Sequence, residues 1–391
     1  MTNMVHSNLI FGKSKMGEVL TAHKYRFYPT KGQQEQLAKT FGCCRFVYNH
    51  FLGKKITLWK EEKKSLYYKE CSSMLAALKE EFTWLKEVSS VCLQQSLRHL
   101  EDAYKNFFGS KTGFPTFKKR VNSQSAHYMK NAFQISGNKV LLAKQKEPLD
   151  IRFSRHLEGD PTSITITKES NGRYFISFCF KKVVEELPKN GKAIGIDLGI
   201  SSFLTDNDGN KLESPLFFSK DLKNIRKAQK KLSKKRKGSS NWRKAQVRVA
   251  QKHAVVRDKR NDFLHKLSSQ FVHENQVIAV ENLNVKKMMK NKNLSRSIAD
   301  SAWNTFLRFL EYKSGWYGRI FVKIEMFYPS SKTCNDCKSV KEDLQLSDRE
   351  WICEKCGVLH DRDTNAAENI LEEGLKLVPW GSRDLKPAEL M

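Results

Sequence analysis

No run of about eighteen apolar residues occurs in this chain, so no spanning helix is expected. The opening stretch, "MTNMVHSNLIFGKSKMGEVL", lacks the long apolar core and the small-residue cleavage site of a secretory leader. Acidic residues are scarce: 42 Asp plus Glu stand against 70 Lys plus Arg, a formal net charge of +28. Solubility needs far less, so the excess points to a polyanionic partner, nucleic acid first of all. The nine cysteines are odd in number. Cys43, Cys44, Cys71, Cys92 and Cys179 fall on helical or strand-like patterns as ordinary buried thiols, which argues against a disulfide framework and for a reducing, cytoplasmic compartment. No internal repeat is evident.

What is present begins with helical periodicity. From Lys31 to about Arg120 apolar residues recur three and four apart, as in Leu37, Phe41, Val47 and Phe51, or Leu93, Leu97, Leu100, Tyr104 and Phe107, predicting a small helical bundle. Between Ile151 and Phe180 the period changes to two. Ile164 and Ile166 are followed by Tyr174, Ile176, Phe178 and Phe180, with Asn171-Gly172 as a hairpin turn in which both positions tolerate positive φ. The stretch "HKYRFYPT" alternates in the same way, so it is expected to pair into this β unit and leave the helices as an insertion.

Past Pro188 and Gly191, "KAIGIDLGISSFLTDNDGN" reads as a strand buried on both faces and ended by a hairpin-like turn. Lys220 to Arg260 then carries seventeen Lys or Arg and two acids, Asp221 and Asp258, with a thin apolar edge at Leu222, Ile225 and Leu232. It predicts a long helix, or a helical hairpin broken near Gly238. A buried strand is expected over Gln276–Asn284, an amphipathic helix around Trp303, Phe306, Leu307 and Leu310, a strand in "RIFVKIEMFYP", and a last helix from near Asp363.

Two kinds of metal chemistry suggest themselves. Cys334 and Cys337, then Cys353 and Cys356, form two CxxC knuckles separated by fifteen residues, the spacing of a four-thiolate Zn2+ site. Four protein ligands close the coordination sphere, so this ion is structural and any chemistry must lie elsewhere. Asp197 ends the apolar strand "AIGID", Glu281 ends "VIAVE", and Asp361 and Asp363 open the helix "DTNAAENI". An acid closing a buried strand must be paired, protonated or bound to a cation; a helix start favours negative charge. Taken singly, a strand-end acid is more often a hydrogen-bonded turn residue, and Asp361 reads as an N-cap. Convergent, they would hold two Mg2+ ions around a phosphodiester, as an RNase H-like nuclease requires. Residue patterns do not choose between Asp361 and Asp363.

"GIDLGI", "VIAVENLNV", "SSKTCNDC", "CEKCG" and "DRDTNAAENI", in this order, resemble the TnpB family, transposon-encoded RNA-guided DNA nucleases related to type V CRISPR effectors. The likeness extends from about His23 to Ile370 through "KYRFYPTKGQQEQLAKTFGCCRFVYNHFL", "GFPTFKKR", "RKAQKKLSKKRKGS", "DFLHKLS" and "LEYKSGWYGR". The resemblance implies a multidomain α+β protein. It has a RuvC-like nuclease domain (189–329 and 358–373), an inserted zinc ribbon (330–357), a β-barrel wedge domain (20–30 and 123–188) and a helical recognition domain inserted in the wedge (31–122). Residues 1–19, which the family pattern does not cover, form an N-terminal extension, and 374–391 form a loose tail.

By motif, Asp197, Glu281 and Asp363 match the catalytic acids that hold two Mg2+; Asp363 is preferred because the family's acid stands two residues before the Asn of "DTNAA". All three being present argues against nuclease-dead relatives. The implied partners are a guide RNA from the transposon end and a double-stranded DNA target in a prokaryotic cytoplasm, with a monomer slightly favoured. Lys230, Lys231, Lys234, Lys235, Arg236, Lys237, Arg243 and Lys244 would lie along nucleic-acid backbone. Tyr68, Ser90 and Gln94 are candidates to read the target-adjacent motif, Gln being able to contact adenine edges. The alternatives are an RNA-guided DNA-binding protein without cleavage and a transposition-associated regulator. A transposase is disfavoured because there is no HUH pair and the acids run Asp-Glu-Asp.

Overall fold

Apolar residues two apart and three to four apart sort the chain into sheets and helices, and the computed structural model describes residues 18–157, 159–345 and 347–378 of the result. They form two compact units, residues 19–182 with 246–250, and the remainder. The N-terminal extension and the tail expected from the sequence lie outside the described residues, except at their inner edges. There Glu18 begins a strand and the last helix runs on to Lys376. All nine cysteines are free of disulfides. Among the described residues, no helix is long and apolar enough to cross a membrane.

In the first unit β1 (Glu18–Phe27) leads into α1 (Lys31–Glu62), which Thr30 opens with a capping box. Gln33 N donates to Thr30 Oγ1 at 3.3 Å, and the Gln33 side chain accepts from Thr30 N at 2.9 Å. α2 (Tyr68–Glu81) and α3 (Ser90–Phe108) follow. Leu37, Phe41, Val47, Phe51, Leu93, Leu97 and Leu100 are all buried, as the helical period requires. The helical stretch stops at Phe108, short of Arg120, because Gly109, Ser110 at φ 55, Gly113 and Pro115 do not sustain a helix.

The strands of this unit are β2 (Gln124–Met129), β3 (Phe133–Ser136), β4 (Lys139–Leu142), β5 (Leu149–Asp150), β6 (Ser163–Lys168) and β7 (Tyr174–Val183). One sheet has the order β1-β7-β6-β2 and a second β3-β4-β5, joined by a Phe27–Ile151 bridge. β1 thus lies beside β7, and the three helices are inserted between strands of one sheet. Ile164 pairs with Phe178 and Ile166 with Ile176, all four fully buried. A one-residue slip would expose them, at about 1.5–3 kcal/mol each, so the register is firmly set. Only Gly172 of the hairpin turn takes positive φ, at 85°; the Asn171 side chain instead accepts from Arg173 N at 2.9 Å.

In the second unit β8 (Ala193–Asp197), β9 (Ser202–Asp206) and β10 (Lys211–Glu213) form a meander. The single strand expected from "KAIGIDLGISSFLTDNDGN" is therefore two antiparallel strands, Asp197 pairing with Thr205. The apolar run hides the turn between them at Gly199, where a Cβ would come within 3.0 Å of the Ser202 carbonyl. α4 (Phe217–Ser233) and α5 (Ser240–Glu274) form the basic pair, separated at Gly238, φ 83. Then come β11 (Val277–Val280), α6 (Val285–Met288), α7 (Ser295–Ser301), α8 (Trp303–Trp316) and β12 (Ile320–Lys323). β13 (Glu350–Ile352), β14 (Leu359–Asp361) and α9 (Arg362–Lys376) complete the unit.

The main sheet has the order β10-β9-β8-β11-β12, with β8, β11 and β12 parallel. Its two faces differ. Ile194, Ile196, Ile278 and Val280 pack with Phe271, Val272, Trp303, Phe306 and Leu310. Gly195 and Ala279, one residue out of phase, face α9. Buried Asp300 pins the start of α4: it accepts from Phe218 N and Ser219 N and pairs with Arg260 of α5 at 2.8 Å.

Candidate functional site

β8 and β11 are parallel neighbours with Ile196 opposite Val280. Asp197, the last residue of β8, and Glu281, the first past β11, therefore stand side by side at one end of the sheet, with backbones about 4.8 Å apart. By the two-residue alternation they project from the same face as Gly195 and Ala279. That face is thin. A Cβ on Gly195 would lie 2.2 Å from the Ala367 carbonyl oxygen, and one on Gly374 would lie 2.4 Å from Ala279 Cβ. α9 consequently rests directly on the strands, and Asp363, one turn before Ala367, comes near enough to Asp197 for its charge to act there.

The electrostatics record the convergence. Burial, then the charges of Glu281 and Asp363, push the Asp197 carboxyl well above the usual carboxylate range, with Arg362 pulling the other way. Burial also raises Glu281, moderated by the Ser330 hydroxyl, which donates to Glu281 Oε1 at 2.6 Å. All three acids are only partly buried. They are spaced more widely than the cysteines: among the described residues, three or more ligand atoms come within 4.8 Å of one another in only two groups, and the acids form neither.

Asp361 and Asp363 differ in occupation. Asp361 caps α9, accepting from Thr364 N and Thr364 Oγ1 at 3.0 Å each, and pairs with Lys211 at 2.6 Å. Although burial opposes it, these partners hold Asp361 below the ordinary carboxylate value. Asp363 meets Arg349 at 4.0 Å and otherwise faces Asp197.

The four knuckle sulfurs lie within 4.8 Å of one another, with Cys334–Cys356 at 3.6 Å and Cys337–Cys353 at 3.5 Å. A tetrahedral Zn2+ with bonds of about 2.3 Å has sulfur–sulfur edges of about 3.8 Å, so the donor set fits that ion. Buried His360 places Nε2 3.1 Å from Cys334 Sγ and orients that ligand. The centre is tied to the acids: Asn365 and Asn369 of α9 donate to the Thr333 carbonyl at 2.8 and 2.6 Å, and Asn369 donates to the Ser330 carbonyl at 2.9 Å.

Lys230, Lys231, Lys234, Lys235, Arg236, Lys237, Arg243 and Lys244 are all exposed at the end of α4, the following turn and the start of α5, and none pairs with a carboxylate among the described residues. Tyr68 starts α2, with the Arg98 guanidinium 4.6 Å from its ring centre. Ser90 accepts from Lys79 Nζ at 2.9 Å, and Gln94 is exposed. Ser90, Gln94 and Arg98, spaced by four on α3, share one face.

Sequence reasoning missed Gly195, Gly374, Ser330, Asn365 and Asn369. Only the Asn pair four apart in "NAAEN" carried a local signal. Gly195→Ala should test the closeness of α9. The added carbon meets backbone rather than a movable side chain, an overpacking cost of about 3 kcal/mol, or roughly 6–12 °C in melting temperature. Thermal unfolding should show that loss together with a collapse of activity, whereas Gly113→Ala, with open space around it, should match wild type.

Family profiles match the chain in three places: residues 16–64 ("Helix-turn-helix domain"), 173–292 ("Probable transposase") and 303–370 ("Cas12f1-like, TNB domain"). Within the first span the described residues form a strand and one long helix. A Streptomyces pristinaespiralis protein named for RNA-guided DNA endonuclease activity is 45% identical over 365 residues, covering 92% of this chain and 90% of its own length. An Escherichia coli K12 protein with the same assigned activity is 30% identical over 380 residues, covering 93% and 94%. The solved structure of a Cas12f1–sgRNA–target DNA complex shares the fold at a TM-score of 0.57 and 15% identity, covering 90% of this chain and 99% of that one.

Proposed function

Since the chain belongs to the TnpB family of RNA-guided DNA endonucleases, we propose that Asp197, Glu281 and Asp363 are its DNA-cutting centre. The unit carrying them is read as an RNase H-like RuvC domain with a zinc ribbon set between β12 and α9. The other unit is read as a wedge, barrel-like in its strands, with α1–α3 inserted as a recognition domain. The observation that carries this reading is that Glu281 and Asp363, both far from Asp197 in the chain, bring their charges to bear on its carboxyl.

The donor set is entirely carboxylate, which suits Mg2+ rather than a softer ion. Two bound Mg2+ would activate water for in-line attack and stabilise the leaving 3′ oxygen. The chain's part is to hold the charges in place. β8 and β11 fix Asp197 and Glu281 on strand ends, Ser330 donates to one oxygen of Glu281, and α9 presents Asp363. Arg349, exposed at the rim, faces where a phosphate would approach. The four cysteines we assign to one structural Zn2+, closed to substrate.

The eight exposed cations at the α4–α5 turn would follow the backbone of the guide RNA or its heteroduplex, where sequence is read by base pairing rather than by protein. The strip of Tyr68, Ser90 and Gln94 would read the motif beside the DNA target, Gln94 by an adenine edge. A monomer acting in a prokaryotic cytoplasm suits the free thiols. The decisive experiment is plasmid cleavage by protein carrying its copurified RNA, with Mg2+. Cutting should depend on a target matching that RNA. Tight RNA-directed binding without strand scission would instead select the non-cleaving alternative.

A further inference from the structure

Within the unit of residues 19–182 a cavity of about 150 Å3 is lined by Arg45, Lys118, Lys119, Asn122 and Ser123, with no carboxylate in its wall. The wall is built rather than incidental. The Gln124 amide nitrogen donates to the carbonyls of Lys119, Arg120 and Asn122 at 3.1, 3.2 and 2.8 Å. This turns the Gln124 oxygen toward Arg45 Nη1, which donates to it. Asn49 grips the Lys118 backbone on both sides, donating to its carbonyl at 3.0 Å and accepting from its N–H at 2.8 Å.

The cations here are poorly compensated. Lys118 is exposed, and its ammonium lies 4.0 Å from the centre of the Tyr48 ring. Arg45 has a neutral amide as partner and feels the charge of Arg120. Burial lowers the pKa of both groups. Cations drawn partly out of water without a counter-charge favour an incoming anion. The cavity has room for a phosphate group.

We propose that Arg45, Lys118 and Lys119, with Asn122 and Ser123 as donors, form a notch that takes a single phosphodiester of a bound nucleic-acid strand. The proposal rests on the reading of this chain as a nucleic-acid-directed enzyme and adds a site in the unit that does not carry the acids. It requires no divalent ion.

The test uses the full chain freed of RNA and follows anisotropy of a short labelled single-stranded RNA and of a short labelled DNA duplex across a KCl series. Arg45→Gln and exposed Lys119→Gln should each flatten the dependence of log affinity on log salt. The double variant should lose about one phosphate's worth, a slope of roughly 0.7 for single strand or 0.9 for duplex, rather than two. Lys64→Gln, an exposed lysine paired with Glu62, should leave the slope unchanged. Flattening in the RNA arm alone assigns the notch to RNA, and in the duplex arm alone to DNA. A steep wild-type slope that neither notch variant alters, or that Lys64→Gln alters equally, overturns the notch and leaves the enzyme reading standing. A wild type without salt-dependent binding in either arm overturns the enzyme reading instead. Lys119 is exposed and its side chain forms no hydrogen bond or ion pair among the described residues, so its variant keeps the test valid if Arg45→Gln unfolds.

Discussion

Asp197→Asn is expected to cut guide-directed DNA cleavage by about 10³-fold, or about 4 kcal/mol of barrier, while making the metal-free protein harder to unfold. The two effects have one cause. Asp197 is driven well above the ordinary carboxylate pKa by burial and by the charges of Glu281 and Asp363, so its ionised form is costly in the fold unless a cation is present. The isosteric amide removes the repulsion together with a proposed metal ligand.

The pH dependence follows from the direction of that shift. Between the unfolded pKa, about 3.9, and the raised folded value, the folded chain holds a proton that the unfolded chain has released. Stability is therefore gained as pH falls through the folded pKa, and lost as pH rises through it. Under chelation, wild-type melting temperature should rise from pH 8 toward pH 5, and it should rise less in Asp197→Asn. Mg2+ added at pH 8 should stabilise wild type and have little effect on the variant. Retained RNA binding by the variant separates loss of chemistry from loss of fold. Undiminished cutting by Asp197→Asn would remove this residue from the centre.

Zinc withdrawal should be as damaging, although no cysteine faces DNA chemistry. Structural zinc sites contribute binding free energy of about 10–16 kcal/mol to folding, so a zinc-selective chelator, or Cys353→Ser, should unfold the ribbon. The damage would then travel along specific bonds. Asn335 N donates to Asn365 Oδ1 at 2.9 Å, and Asn365 and Asn369 hold the Thr333 carbonyl just before the first knuckle. α9 carries Asp363, and Ser330, four residues before Cys334, holds Glu281. Cleavage in excess Mg2+ should fall by about 10²-fold, as expected when a catalytic group is misplaced by about 1 Å, and zinc release should track the loss.

Ser330→Ala separates positioning from folding. Its zinc content and melting temperature should stay near wild type while cleavage falls about tenfold, one hydrogen bond to a charged group being worth about 1.5–3 kcal/mol. Removing a donor to the carboxylate raises the Glu281 pKa further, so the acid limb of the pH–rate profile should move to higher pH and the defect should be greatest at low pH. Full activity in zinc-depleted protein, or an unmoved acid limb in Ser330→Ala, would break this coupling.

Much of the architecture was legible because it is written in local signals. The period-two stretch around Ile164–Phe180 and the capped, period-3.6 stretch from Thr30 announce their own elements, and Gly238 marks the break between the basic helices. Misreadings occurred where a local signal was masked by another. The apolar run through Gly199 conceals a turn between β8 and β9, and the helical pattern expected to reach about Arg120 stops at Phe108.

Sequence alone determined that Asp197 and Glu281 each close a buried strand and that four cysteines stand at metal spacing, since alternation and CxxC geometry act over a few residues. Tertiary structure alone decided that β8 and β11 are parallel neighbours in matching register, and that Asp361 is consumed as a cap while the charge of Asp363 acts on Asp197. It also decided that a glycine and an alanine let α9 descend onto the sheet. These depend on which distant segments touch and how closely, and the interaction energies responsible arise only when the chain has packed.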